Sequence, residues 1–215
     1  MDKDKLGLKF VIEHLEEEIG KWLYIEYKHA SEIVGRENLM FTNVKRVEDR
    51  NLLSEFGEVE ARSFRDVFRQ DEVVILDPKA ERKLVTSDFY GKKAVVIGGI
   101  LGDNPPRGRT QKYLSNLCPK AIKRNLGRKQ FSIDGAVYVA KMVSEGIPLE
   151  AIRVVDGLSI KVDEFVEIYL PYVYPLNDGK PVIHEELVKY LSSEDVVRDE
   201  EVLLKEENEE KGFLK

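Results

Sequence analysis

The sequence has very few of the residues that build crosslinks and metal sites. Among 215 residues there is one cysteine, Cys118, and there are three histidines, His14, His29 and His184. A single cysteine rules out an internal disulfide, and histidines this far apart do not form a zinc-binding motif. We therefore expect a fold that is held by a hydrophobic core and has no structural metal.

Long apolar runs are missing as well. No run reaches the roughly 18 residues that a membrane-spanning helix needs. The charged start, Met1 to Lys5, is not followed by the apolar segment of a signal peptide. We expect a cytoplasmic protein with no membrane partner, built as one domain over residues 1–192 with an acidic tail over residues 193–215.

The net charge of -6 hides two stretches of opposite sign. Residues 194–210 contain nine acidic and two basic side chains, whereas residues 104–133 contain eight basic side chains and no acidic one. The simplest interpretation is a solubilising tail and a solvated basic face. A basic stretch also suits a phosphate backbone, so RNA stays open as a partner.

The hydrophobic pattern predicts an α/β fold with a mostly parallel sheet. Leu8 to Ile12, Val73 to Leu76 and Ala94 to Ile97 are continuous apolar runs, typical of strands that are buried on both faces. Helical periodicity follows from Glu18 to Val34 and from Ile133 to Glu145. Strands that alternate with helices in this way are typical of a parallel sheet covered by helices.

A smaller β-rich extension is predicted near the C-terminus. A strand candidate at Ile152 to Val155 is followed by apolar segments at Phe165 to Tyr174 and Pro181 to Ile183. The last two segments flank Asn177-Asp178-Gly179, a turn sequence typical of a β-hairpin.

Four of the predicted strands end in loops rich in polar residues and glycine: 13–17, 77–80, 98–107 and 125–130. If the strands are parallel, these loops meet at the carboxyl edge of the sheet, where ligands bind in open α/β folds. Loop 98–107 combines three glycines with Pro105-Pro106, which indicates a rigid loop that a ligand can approach closely. It matches neither a P-loop nor the GxGxxG dinucleotide motif.

These loops resemble the cofactor loops of the SPOUT methyltransferases, the trefoil-knot class that uses S-adenosylmethionine. The resemblance is carried by Gly98-Gly99-Ile100-Leu101-Gly102-Asp103, Pro105-Pro106-Arg107, Leu126-Gly127, Gln130, Ile133 and Ala136. Over residues 8–190 the sequence is most similar to the subgroup called predicted SAM-dependent RNA methyltransferases. That subgroup includes a yeast enzyme that methylates an arginine of a small-subunit ribosomal protein.

The resemblance implies a trefoil knot in the C-terminal half of the domain and S-adenosylmethionine as the cofactor. An adenine needs an apolar slot with exposed backbone groups, which small and aliphatic residues supply. The residues implied for cofactor binding are Leu76, Asp77, Pro78, Gly98, Gly99, Leu101, Gly102, Leu126, Gly127, Gln130 and Ile133.

An arginine acceptor would require carboxylates, because a guanidinium is always protonated and must lose a proton as it is methylated. Glu13, Glu16 and Asp103 are the acidic candidates for this catalytic work. Glu13 ends a buried strand at the ligand edge, where solvation alone does not explain a carboxylate. For Glu16 an ordinary acidic first helical turn is the alternative, since the helix dipole favours it.

RNA is the competing acceptor, because most trefoil-knot enzymes modify tRNA or rRNA. In that case Arg107 or Arg109 would position a phosphate or stabilise a base. The basic stretch contains only Tyr113 and Phe131 as aromatic residues, which is little for a base-stacking platform. A knotted protein that binds ribosomal components without methyl transfer is a third hypothesis, and both a monomer and a homodimer stay open.

Overall fold

The computed structural model describes residues 7–102, 107–162, 166–193 and 195. The strands are β1 (Lys9–His14), β2 (Leu39–Thr42), β3 (Glu58–Val59), β4 (Val73–Leu76), β5 (Ala94–Gly99), β6 (Ile122–Arg124), β7 (Val154–Lys161), β8 (Glu167–Asn177) and β9 (Lys180–Pro181). The α-helices are α1 (Lys21–Val34), α2 (Val47–Leu53), α3 (Phe64–Val67), α4 (Arg109–Tyr113), α5 (Ile133–Ser144) and α6 (Glu185–Leu191).

A six-stranded sheet forms the centre of the fold, in the order β3-β2-β1-β5-β4-β6. Every neighbouring pair in it is parallel. Val11 and Ile12 in β1 are both completely buried although their side chains point to opposite faces, as expected for a strand covered on both sides. The prediction of a mostly parallel α/β sheet is therefore confirmed.

Helices cover both faces of this sheet. On one face Ile12 belongs to a core that includes Tyr27 of α1 and Val137 of α5. On the other face Val11 packs in a core with Phe64, the first residue of α3. The predicted periodic helices begin and end close to where the structure has them, although α1 begins at Lys21 and not at Glu18.

The C-terminal extension is a three-stranded antiparallel sheet in the order β7-β8-β9. Asp178 and Gly179 both have positive φ angles, 49° and 79°, as the predicted hairpin turn requires. The strand predicted at residues 152–155 begins instead at Val154 and continues to Lys161, because its whole length pairs with β8.

Two other predictions concern the ends of the domain. The boundary after residue 192 stays a prediction, and the acidic tail falls almost entirely outside the described residues. Within the described ranges no helix is long and apolar enough to span a membrane.

Candidate active site

A cavity of about 200 Å³ lies at the carboxyl edge of the parallel sheet. Its walls come from the ends of β4 and β5, from the loops that follow β4, β5 and β6, and from the start of α5. The residues that line it are Leu76, Asp77, Pro78, Lys79, Ile97, Gly98, Ile100, Leu101, Gly102, Arg107, Gly108, Arg109, Thr110, Leu126, Gly127, Arg128, Lys129, Gln130, Phe131, Ser132, Ile133 and Ala136. The structure thus brings three of the four predicted loops together around one cavity.

Most residues implied for cofactor binding line this cavity, but Gly99 does not. A Cβ atom on Gly99 would collide with the hydroxyl of Tyr27 and lie 2.9 Å from the carbonyl oxygen of Glu13. This glycine therefore allows α1 to pack closely against the sheet. The glycine-rich loop suggested that Gly99 contacts a ligand. The same sequence pattern also suits a glycine that lets a helix pack closely, and the sequence alone does not distinguish the two roles.

Asp77 shapes the loop that follows β4. Its side chain is buried, and one oxygen accepts the backbone N–H of Lys79 at 2.9 Å. The other oxygen accepts the hydroxyl of Ser115 at 2.5 Å. These two hydrogen bonds fix the loop at the cavity wall, so Asp77 contributes to the cavity mainly by holding its shape.

Glu16 stabilises the loop that follows β5 from outside the cavity. One of its oxygens accepts the backbone N–H of Leu101 at 2.9 Å and lies 3.2 Å from Nη1 of Arg109. Arg109 also donates a hydrogen bond to the carbonyl oxygen of Leu101. Glu16 is not among the residues that line the cavity. The contacts of Glu16 are therefore those of a residue that positions the loop, and its catalytic role stays a prediction.

Replacing Glu16 by alanine is expected to weaken binding of S-adenosylmethionine, the cofactor that the resemblance implies, about tenfold, because Leu101 loses the carboxylate that orders its loop. The stability should change by less than about 1 kcal/mol, since the pair with Arg109 is partly exposed. Calorimetric titration measures the affinity, and Glu17→Ala at the neighbouring exposed position is the matched control. Equal affinities for the two variants would contradict the role given to Glu16.

The structure does not bring Glu13 to the cavity. Its carboxylate is buried and accepts hydrogen bonds from Thr42 Oγ1 at 2.5 Å, from Ser63 Oγ at 2.6 Å and from the backbone N–H of Phe64 at 2.9 Å. These donors lie on β2 and at the start of α3. Hydrogen bonds from within the fold thus account for the carboxylate at the end of this strand. Arg107 does line the cavity, and Asp103 lies outside the described residues.

The sequence analysis did not predict a smaller recess that adjoins the main cavity. The cavity and the recess share the walls formed by Ile100, Leu101, Gly102, Phe131, Ser132 and Ile133, and the recess adds Trp22, Glu26 and Tyr172. The carboxyl group in the recess is that of Glu26, which lies on the buried face of α1. The signal was present in the sequence, because Glu26 lies three residues after Leu23 and four before Ala30, within the apolar stripe of the helix.

The carboxyl group of Glu26 is almost completely buried. Its two oxygens accept the indole N–H of Trp22 at 2.7 Å and the backbone N–H of Ile133 at 2.9 Å. Burial, and next the nearby carboxylate of Asp134, raise the pKa of Glu26 to about 8. Asp134 in turn lies 2.7 Å from Nδ1 of His29. A carboxyl group with so high a pKa in a recess is typical of a functional site.

Comparisons with known proteins agree with this geometry. Residues 9–197 match the family model described as "Protein arginine N-methyltransferase SFM1-like". The chain is 26% identical to the protein arginine N-methyltransferase SFM1 of Saccharomyces cerevisiae over 213 residues, which are 92% of this chain and 100% of the yeast protein.

Solved structures show the same similarity to yeast SFM1. The crystal structure of the yeast arginine methyltransferase SFM1 complexed with SAH superposes with a TM-score of 0.77 at 30% identity, covering 86% of this chain and 94% of the yeast chain. The complex with SAM gives a TM-score of 0.79 at 28% identity, covering 89% and 92%. A dual-specific Trm10 from Thermococcus kodakaraensis shares the fold alone, with a TM-score of 0.53 at 22% identity over 66% of this chain and 96% of its own. The predicted SPOUT fold is thereby confirmed, and the chain belongs to the SFM1-like family of protein arginine N-methyltransferases.

Proposed function

We propose that this chain transfers a methyl group from S-adenosylmethionine to an arginine side chain of a protein, and that the protein is a ribosomal one. The observation that carries the proposal is the cavity that three loops enclose at the carboxyl edge of the sheet. Membership of the SFM1-like family and the likeness to yeast SFM1 in its SAM and SAH complexes support it.

The residues around the cavity fit this cofactor. Aliphatic side chains such as Leu76, Leu126 and Ile133 suit an adenine, and the glycines leave backbone groups accessible. Cationic side chains that also line the cavity, Lys79 and Arg107 among them, suit the carboxylate of the methionine part. When bound, S-adenosylmethionine supplies a methyl group attached to a positively charged sulfur.

RNA is the second candidate acceptor, because Lys79, Arg107 and Arg128 line the cavity. Many other cations of the basic stretch have partners within the chain, however. The internal partners are Glu16 for Arg109, the carbonyl oxygen of Cys118 for Lys123, Asp88 for Arg124 and Asp156 for Lys129. A basic surface whose cations are paired in this way attracts phosphates less, which favours the protein acceptor.

The acceptor is tested by incubating the purified protein with S-adenosylmethionine that carries a labelled methyl group, with ribosomal proteins in one reaction and total ribosomal RNA and tRNA in another. We expect label in one protein, on an arginine identified by mass spectrometry. Label confined to RNA would make the second candidate correct. Label in neither, with cofactor binding intact, would favour the binding protein without transfer.

The remaining parts of the proposal concern place and assembly. A ribosomal substrate is consistent with action in the cytoplasm. The chain acts there as a monomer or as a homodimer, and light scattering distinguishes the chain mass of 24.7 kDa from twice that value.

A further inference from the structure

We propose that the acceptor guanidinium binds where the recess opens into the cofactor cavity, with Glu26 as the residue that binds it and takes up its proton. The flanking aromatic walls are Trp22 and Tyr172. This inference rests on the proposed function and deepens it, because it assigns the acceptor to side chains that none of the sequence motifs include.

The position of the recess is the first argument. Leu101, Gly102 and Ile133 form walls of both the recess and the main cavity. The recess has a volume of about 10 Å³, which is room for one water-sized group, so a guanidinium paired with Glu26 lies at its mouth, next to a cofactor in the cavity. One oxygen of Glu26 accepts the backbone N–H of Ile133 at 2.9 Å. The carboxyl group is therefore fixed relative to the cavity wall, as in-line methyl transfer requires of a group that aligns the acceptor.

The second argument is charge. The salt bridges found within the described residues do not include Glu26, although it is almost fully buried and another carboxylate, Asp134, is close. Burial and Asp134 make the ionised form of Glu26 costly in the free protein, and a bound guanidinium would supply the cation that stabilises it. The charge and the two-pronged shape of a carboxylate match a guanidinium better than an ammonium group.

The third argument is the shape of the walls. The rings of Trp22 and Tyr172 stand perpendicular to each other with their centroids 6.4 Å apart. Tyr172 is held by its hydroxyl, which donates to the carbonyl oxygen of Gly102 at 2.8 Å. Aromatic faces stabilise a planar cation by cation–π attraction, most strongly where water is excluded.

The proton balance of the transfer assigns Glu26 its role. One guanidinium nitrogen forms a bond to the methyl carbon, the carbon–sulfur bond breaks, and its electron pair stays on sulfur. The nitrogen would then carry one proton too many, and the ionised carboxylate of Glu26 accepts it. The products are a methylguanidinium, a neutral thioether and a protonated Glu26, which passes its proton to water after product release.

The groups that face Glu26 set its titration. Asp134 comes from α5, and Tyr172 and Tyr174 come from β8. Burial raises the pKa of Tyr174 far above its ordinary value, so that this hydroxyl stays neutral. With a pKa of about 8, Glu26 is mostly protonated in the free protein at pH 7 and becomes ionised as the pH rises. A guanidinium at the mouth of the recess would lower this pKa, because it stabilises the charged form.

The recess contains its own optical probe, because Trp22 is the only tryptophan in the chain. Its indole N–H donates to Glu26, so its emission reports the ionisation of that carboxyl group. We expect an emission transition near pH 8 in the free protein, shifted down by at least one pH unit by N-ethylguanidinium. Ethylammonium at the same concentration should shift it far less. Absence of a response to N-ethylguanidinium would overturn the assignment even if every variant failed to fold.

Two variants and one control complete the test. Glu26→Gln should abolish the emission transition and lower kcat at saturating cofactor at least about 100-fold. Tyr172→Leu should keep the transition but weaken N-ethylguanidinium binding several-fold. Glu32→Gln on the same helix, exposed and paired with His184, should match the wild type in the transition.

The outcomes separate this inference from the proposed function. If the wild-type protein methylates arginine and Glu26→Gln retains kcat within threefold, Glu26 is not the proton acceptor and the function stands. If the wild-type protein transfers no methyl group to protein, the proposed function fails, and the emission titration still decides whether the recess binds a guanidinium.

Discussion

Replacing Glu13 by alanine is expected to lower the free energy of unfolding by about 3 kcal/mol. The carboxylate is buried and satisfies three donors, which belong to Thr42, Ser63 and Phe64. Alanine leaves all three without this partner where β1, β2 and α3 meet, and the residues that carry the donors are buried. The loss is measured by urea denaturation monitored by circular dichroism.

The matched variant is Glu13→Gln, which keeps the size of the side chain and one acceptor oxygen. We expect it to cost less than alanine, since fewer donors lose their partner. Because Glu13 does not line the cavity, the main effect of both variants should be a lower free energy of unfolding. Their affinity for S-adenosylmethionine should change less. A glutamine variant of unchanged stability that no longer methylates arginine would instead support the direct catalytic role that the sequence suggested.

The contrast between Glu13 and Glu26 shows how far the sequence alone could lead. Continuous apolar runs such as Val73–Leu76 predicted the parallel strands, because burial on both faces leaves a local trace in the sequence. The prediction that the loops meet at one edge of the sheet followed from the parallel pairing of the strands. Which carboxyl group lies at the recess beside the cavity did not follow, because it depends on donors that are distant in sequence, such as Ser63 for Glu13 and Ile133 for Glu26.

The basic stretch shows the same limit for charge. Counting charges along residues 104–133 gave eight unopposed cations. In the fold Arg124 pairs with Asp88 at 2.7 Å and Arg109 with Glu16 at 3.2 Å. The opposing acids lie 36 and 93 residues away in the sequence, so a local window could not include them. A strongly basic segment in the sequence thus becomes a less basic surface in the structure.

Replacing Gly98 by valine is expected to weaken S-adenosylmethionine binding at least about 100-fold, which corresponds to about 2.7 kcal/mol. Gly98 lies at the end of β5 and lines the cavity. A Cβ atom there would meet Leu114, Thr110 and Ile100 at 3.5–3.6 Å, which is ordinary contact, so alanine fits without displacing its neighbours. Two of these neighbours, Thr110 and Ile100, line the cavity, so we expect the additional methyl groups of valine to take space there. A β-branched residue suits a strand.

The series glycine, alanine and valine at position 98 tests this by calorimetric titration with S-adenosylmethionine. Affinity should fall at each step, with a drop of about fivefold for alanine, whereas the free energy of unfolding should stay within about 1 kcal/mol of the wild type. Gly20→Ala is the matched control, because a Cβ atom at Gly20 meets nothing within 4 Å and this residue lies outside the cavity. A valine variant that binds with wild-type affinity would place the cofactor elsewhere in the fold, and the acceptor recess would then lose its neighbour.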